Sequence, residues 1–298
     1  MRDAVDGVLL LDKPSGPSSN AVLQRAKRLL GAARAGHTGT LDPLASGLLV
    51  IAFGEATKFS GGLLEADKAY RARLRFGART STGDAEGEVL ARSEVAVSEK
   101  GLRAALEPFR GEIGQVPPMY AAIKHEGRPL YDYARRGQIV ERTARRVTIR
   151  RLELERFDRD EADLSVECSK GTYIRTLAED IGEALGCGAH LAALERVAVG
   201  PFSVAQAARL EELESDPPAR RRDRLLPPQA LLGSRPRLRL EADLAAKFRQ
   251  GRAVPASAAD GEVAVFGEDE AFLGAGEVSG GTLQPRRLVA GSGGGKSL

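Results

Sequence analysis

Tryptophan is absent from this 298-residue chain, and cysteine, methionine and histidine number only two, two and three. Cys168 and Cys187 form no C-x-x-C pair, so they supply neither a zinc-ligand set nor a redox dithiol. Long apolar runs are missing too. The first, residues 8–11, stops at Asp12 and is too short for a signal peptide. No later stretch approaches the roughly 20 apolar residues of a membrane span. A cytoplasmic protein is expected, and in that reducing compartment two buried thiols are a simpler reading than a disulfide.

Excess charge is also scarce. Forty-four Lys and Arg against 41 Asp and Glu leave a net +3, too little to imply a nucleic-acid partner by itself. Basic residues do bunch at 142–151 and 220–224. Such clusters are ordinarily solvated surface, and as phosphate contacts they would add affinity without sequence information. The length suits one large domain, or a large one with a small appendage.

What is present has the patterning of a mixed fold. GVLLL at 7–11 reads as a buried strand. Ser18 or Ser19 can cap a helix over about 20–30, with Val22, Leu23, Ala26, Leu29 and Leu30 at helical spacing and Gly31 as the stop. GLLVIAFG reads as a second buried strand. From Lys68 to Phe76, the residues Tyr70, Ala72, Leu74 and Phe76 alternate with Arg71, Arg73 and Arg75, which predicts a strand with one apolar and one charged face. The polar stretch TSTGDAEGEV then reads as a hairpin or surface loop. A helix near 98–107, strands near 119–124, 145–157 and 163–170, and a helix over 175–185 complete an irregular interleaving, hence α+β. Proline and charge at 215–228 mark an exposed connection. Beyond it, EVAVFG and AFLGAGEV, set between glycine-rich turns, suit a small β-barrel. The terminal Gly295-Lys296-Ser297 imitates a phosphate-binding loop, but Ala290 stands where that pattern needs glycine, so 291–298 is read as a disordered tail.

The informative stretch runs from Gly36 to Gly47, GHTGTLDPLASG, a tight loop feeding the second strand. Pro43 pushes Asp42 away from helical dihedrals, so the backbone itself holds the carboxylate. For an isolated Asp-Pro pair, loop capping is the commoner role. Resemblance tips the balance. GHTGTLDPLASGLL is similar to the catalytic motif of the TruB family of tRNA pseudouridine synthases, which modify uridine 55 in the T-loop. Four more blocks agree in order and spacing: GVLLLDKPSGPSS, KAYRARLRFGARTSTGDAEG, CSKGTYIRTLAEDIGEALGCGAHLAALER, and FLGAGEV with LQPRRLVA.

The resemblance implies a pseudouridine synthase fold, with a mixed, mainly antiparallel sheet and flanking helices over 1–232. It also implies a small PUA-like RNA-binding β-barrel over 233–290. Asp42 matches the aspartate that drives cleavage of the glycosidic bond. Tyr70 matches the tyrosine that stacks on the flipped uracil and handles its C5 proton. Arg175 matches the arginine paired with that aspartate, an opposite charge that lowers an Asp pKa by roughly one to three units. His37 matches a T-loop contact, while Tyr173 and Leu194 match pocket-lining residues. Lys13, in the LDKP block, is read as packing support, and His125 and His190 carry no comparable case. The resemblance implies no metal or cofactor, tRNA as the partner, and a monomer without an obligatory protein partner. Two other readings are a non-catalytic tRNA-binding or folding protein and a guide-RNA-dependent pseudouridine synthase. A carboxylate glycosidase would want two positioned acids, and no block is read as supplying the second.

Overall fold

A computed structural model describes residues 5–290. Strand β1 (Gly7–Lys13) leads to helix α1 (Ser19–Leu29), whose N-cap Ser18 accepts a hydrogen bond from the Ala21 amide. Gly31, at φ +66°, follows its end. The strands β2 (Ala35–His37), β3 (Ser46–Phe53) and β4 (Lys68–Phe76) come next, then the short pair β5 (Ala78–Thr80) and β6 (Val89–Arg92). Helix α2 (Glu99–Leu106) precedes β7 (Gly111–Gln115), the long strand β8 (Arg145–Asp158) and β9 (Glu161–Cys168). Helix α3 (Ile174–Ala184) leads into β10 (Ala189–Val199) and β11 (Ala208–Arg209).

These strands form one sheet in the order β11-β1-β3-β10-β4-β9-β8-β7, with β2 pairing the far end of β3 on the edge that β10 meets at its start. Only β1–β11 and β3–β10 are parallel along that path; the sheet is mixed and mainly antiparallel, as expected. On β4 the alternation holds as read. Tyr70, Ala72, Leu74 and Phe76 are buried against α2 and α3, in a core that also contains Leu102, Leu106, Leu177 and Ile181. Arg71, Arg73 and Arg75 face outward, where Arg73 pairs with Asp163 on β9 at 2.7 Å and Arg71 with Glu195 on β10 at 3.5 Å.

A second sheet contains β12 (Arg237–Leu240), β13 (Val254–Pro255), β14 (Gly261–Gly267), β15 (Phe272–Ser279) and β16 (Thr282–Leu288), with helix α4 (Ala242–Arg249) beside it. Its order is β12-β14-β15-β16-β13, a curled half-barrel of the kind expected for a PUA-like unit. Its outer residues Ala264 and Phe266 join Val8, Leu10, Phe59, Leu63, Leu231 and Leu232 in one apolar cluster with the larger sheet. The tail read over 291–298 lies outside the described residues.

Two expectations change. No long strand forms at 119–124; Lys124–His125 instead pairs with Arg128–Pro129 in a small hairpin. Pro117 and Pro118 precede it without ladder donors, and the backbone there bends against the loop that carries Asp42. Conversely, Ala189–Val199, unassigned from sequence, is a central strand between β3 and β4. Its Ala, Leu and Glu content favours helix locally, and burial between two partners overrides that preference.

Candidate active site

The loop between β2 and β3 is fastened from one side by the chain between β1 and α1. The Ser19 hydroxyl accepts from the Leu41 amide and donates to the Leu41 carbonyl, both at 2.8 Å. The Gly16 amide donates to the Pro43 carbonyl at 2.8 Å, and the Ser15 hydroxyl to that of Leu44 at 2.9 Å. Lys13, fully buried, donates to the carbonyls of Ala45 (2.6 Å) and Pro14 (2.8 Å), which is the supporting role read for it. Burial lowers its pKa from 10.5 to about 8. Leu41 and Ala45 anchor the loop in the core, and the half-buried Asp42 projects between them.

Opposite stands Arg175, the second residue of α3 and only 4% exposed. A cation at a helix N-terminus opposes the helix dipole, so its placement needs compensation. Its Nε lies 3.0 Å from Asp42 Oδ2 and 3.8 Å from Asp84 Oδ2. Its Nη1 donates to the Thr82 carbonyl at 3.0 Å and its Nη2 to the Tyr120 carbonyl at 2.7 Å. The guanidinium is thereby fixed on every edge.

Asp84 corrects two readings. It lies in a stretch read as hairpin or surface loop; β5 and β6 do pair, but their turn folds inward and leaves Asp84 only 3% exposed. It is also a second carboxylate at the site, where none had been read. Its Oδ1 accepts from the Thr82 hydroxyl and, at 3.1 Å, from the Glu86 amide. The expected lowering of the Asp42 pKa also does not hold. Burial raises it most, Arg175 opposes that, and Asp84 adds to the rise, so the Asp42 carboxyl sits above the ordinary aspartate value.

Asp42 and Arg175 border a cavity of about 240 Å³ whose walls include Tyr70, Tyr120, Tyr173 and Leu194. Tyr70 comes from β4 and Leu194 from β10, strands that pair with Leu194 opposite Ala72. Tyr173 is the N-cap of α3, and the amide of buried Gln115 clamps its backbone, accepting from its N–H at 2.7 Å and donating to its carbonyl at 3.0 Å. His37 lies outside this cavity, in an adjoining hollow of about 470 Å³ that Asp42, Asp84 and Arg175 also border. Its Nδ1 is buried without a hydrogen-bond partner, and burial together with the charge of Arg196 lowers its pKa.

The other five site residues singled out by resemblance thus lie around Asp42. His190 instead meets the Ala78 carbonyl at 3.1 Å, and His125 is exposed, packed edge-on against Tyr133. Sequence reading missed Asp84, Gln115, Tyr120 and Arg196. Arg196 donates to the carbonyls of Gly39 (3.1 Å), Thr40 (3.3 Å) and Leu48 (2.9 Å), on both sides of Asp42 along the chain. The block containing it was noticed, but no local pattern separates a buried arginine on a strand from an exposed one.

Family comparison covers most of the chain. Residues 27–174 match the model described as TruB family pseudouridylate synthase (N terminal domain). Residues 175–230 match the tRNA pseudouridylate synthase B C-terminal domain, and 236–289 match Pseudouridine synthase II TruB, C-terminal. The tRNA pseudouridine synthase B of Burkholderia mallei is 55% identical over 296 residues, spanning 97% of this chain and 98% of that protein. That of Thiobacillus denitrificans is 56% identical over 291 residues, spanning 97% of each. Among solved structures, a chain of a Cbf5-Nop10-Gar1 complex superposes with a TM-score of 0.72 at 26% identity, covering 96% of this chain and 85% of that one.

Proposed function

Because this chain belongs to the TruB family of pseudouridylate synthases, we propose that its substrate is transfer RNA and that it isomerises uridine 55 of the T-loop to pseudouridine. The observation carrying this reading is the Arg175–Asp42 ion pair, at 3.0 Å, on the edge of a cavity sized for one base. A uracil stacked in a folded T-loop cannot reach a carboxylate in such a recess, so it must be everted, at a cost of roughly a few kcal/mol. Tyr70, Tyr173 and Leu194 offer the apolar faces against which it would lie.

The chemistry then balances within the nucleotide. The N1–C1′ bond breaks with the assistance of the Asp42 carboxylate, by attack on the sugar or by another carboxylate-assisted route. The freed uracil turns, C5 bonds to C1′, the C5 proton leaves, and N1 gains a proton. Tyr70 is the group for the C5 proton. Arg175 opposes the effect of burial on Asp42 and so favours its ionised, working form. Water exclusion by the aromatic walls protects the cleaved intermediate.

On this reading 1–232 is the catalytic domain and 233–290 a PUA-like unit that grips RNA. The enzyme works in the cytoplasm as a monomer without an obligatory protein partner. The test is to incubate pure protein with an unmodified tRNA transcript, without guide RNA or added metal, and map pseudouridine by chemical sequencing. Pseudouridine at position 55 is expected. Tight binding without modification would favour a folding protein, and modification only with an added guide RNA would favour a guided enzyme.

A further inference from the structure

Arg196 is 2% exposed, and among the described residues no carboxylate pairs with it. An unpaired buried cation is expensive, so its retention calls for partners that only a guanidinium serves. Of its five N–H donors, three go to the carbonyls of Leu48, Thr40 and Gly39. The Tyr70 phenol lies near enough to feel this charge, and each group favours the ionised form of the other. The strand register explains the reach. On β10, Arg196 sits opposite Gly47 of β3 on one side and Tyr70 of β4 on the other. One side chain therefore ties the loop carrying Asp42 to the strand position opposite Tyr70, which lines the same cavity.

We propose that Arg196 is a positioning residue for the isomerisation: it sets the Tyr70 hydroxyl in register with the Asp42 loop. This rests on the reading that Tyr70 handles the C5 proton. Burial pushes the Tyr70 phenol up, and Arg196 is the strongest influence pulling it back. Lys13, Lys68 and His37 all feel the same positive charge as a depression, as expected of a cation that no acid neutralises.

The test is a double-mutant cycle on the full chain, read as single-turnover rate and as tRNA Kd. Arg196→Lys keeps the charge and loses the fork, and it should slow turnover about tenfold or more while Kd stays within about twofold. In a Tyr70→Phe background the same change should slow turnover no further than about twofold, because the hydroxyl it positions is gone. Slowing by the full product of the two single effects, or an unslowed Arg196→Lys enzyme, overturns the proposal. A Tyr70→Phe enzyme at wild-type rate would instead remove the Tyr70 reading on which it rests. Should Arg196→Lys fail to fold, guanidinium ¹⁵N spectra of wild type and Tyr70→Phe decide. Shifted Arg196 Nη–H signals support the contact, and unchanged ones overturn it.

Discussion

Asp42 shares a single guanidinium with Asp84, and Asp84 and Arg175 act on the Asp42 carboxyl in opposite senses. Burial and Asp84 raise the Asp42 pKa, while Arg175 lowers it. On the proposed mechanism the working form is the carboxylate, so turnover should fall as pH drops through that raised value. Asp84→Asn removes one raising influence. The acid limb of the single-turnover pH profile should therefore move to lower pH, and a limb that stays put or moves up would refute the coupling. At this scale the resemblance pointed to residues that the structure gathers around one cavity. Asp42, Tyr70 and Arg175 stand in blocks whose spacing is specific to the family. Asp84 and Arg196 stand unnoticed inside matched blocks, and Gln115 and Tyr120 lie outside every block. Their importance comes from burial, which polar and neutral neighbours along the chain disguise.

The loop that carries Asp42 depends on how closely β3 and β10 approach. Gly47 has φ +98°, and a Cβ there would lie 2.4 Å from the Arg196 carbonyl and 2.8 Å from its amide nitrogen. Backbone cannot yield as a side chain would, so Gly47→Ala combines strain with a clash. A loss of about 2 kcal/mol or more is expected, seen as a lower unfolding midpoint together with slower turnover. An unchanged midpoint would mean the strands separate easily. Elements with clear periodicity were legible: β4 has the bounds read for it, and α1, α2 and α3 fall within a residue or two. The central strand β10 was not. Its residues read locally like a helix, and only pairing on both sides makes them a strand.

At the level of the whole molecule, the two sheets share an apolar cluster in which Phe266 and Ala264 meet Phe59, Leu63 and Leu231. Phe59 and Phe272 pack with ring centroids 5.2 Å apart, and Lys58 donates to the Leu288 carbonyl at 3.0 Å. A chain ending at residue 232 would expose that face. It should melt lower and bind tRNA more weakly than the full chain, and equal melting and binding would show the second sheet to be dispensable. The composition change at 215–228 precedes the second sheet, but the packing between the sheets was not legible, since each half of the cluster reads locally as an ordinary core. The proposed chemistry stands on one carboxylate, and Asp42→Asn tests it with almost no change of shape. Assayed at saturating protein on an unmodified tRNA transcript, this variant should form no detectable pseudouridine while binding the transcript with near wild-type Kd. Pseudouridine formation at a rate approaching that of wild type would contradict it.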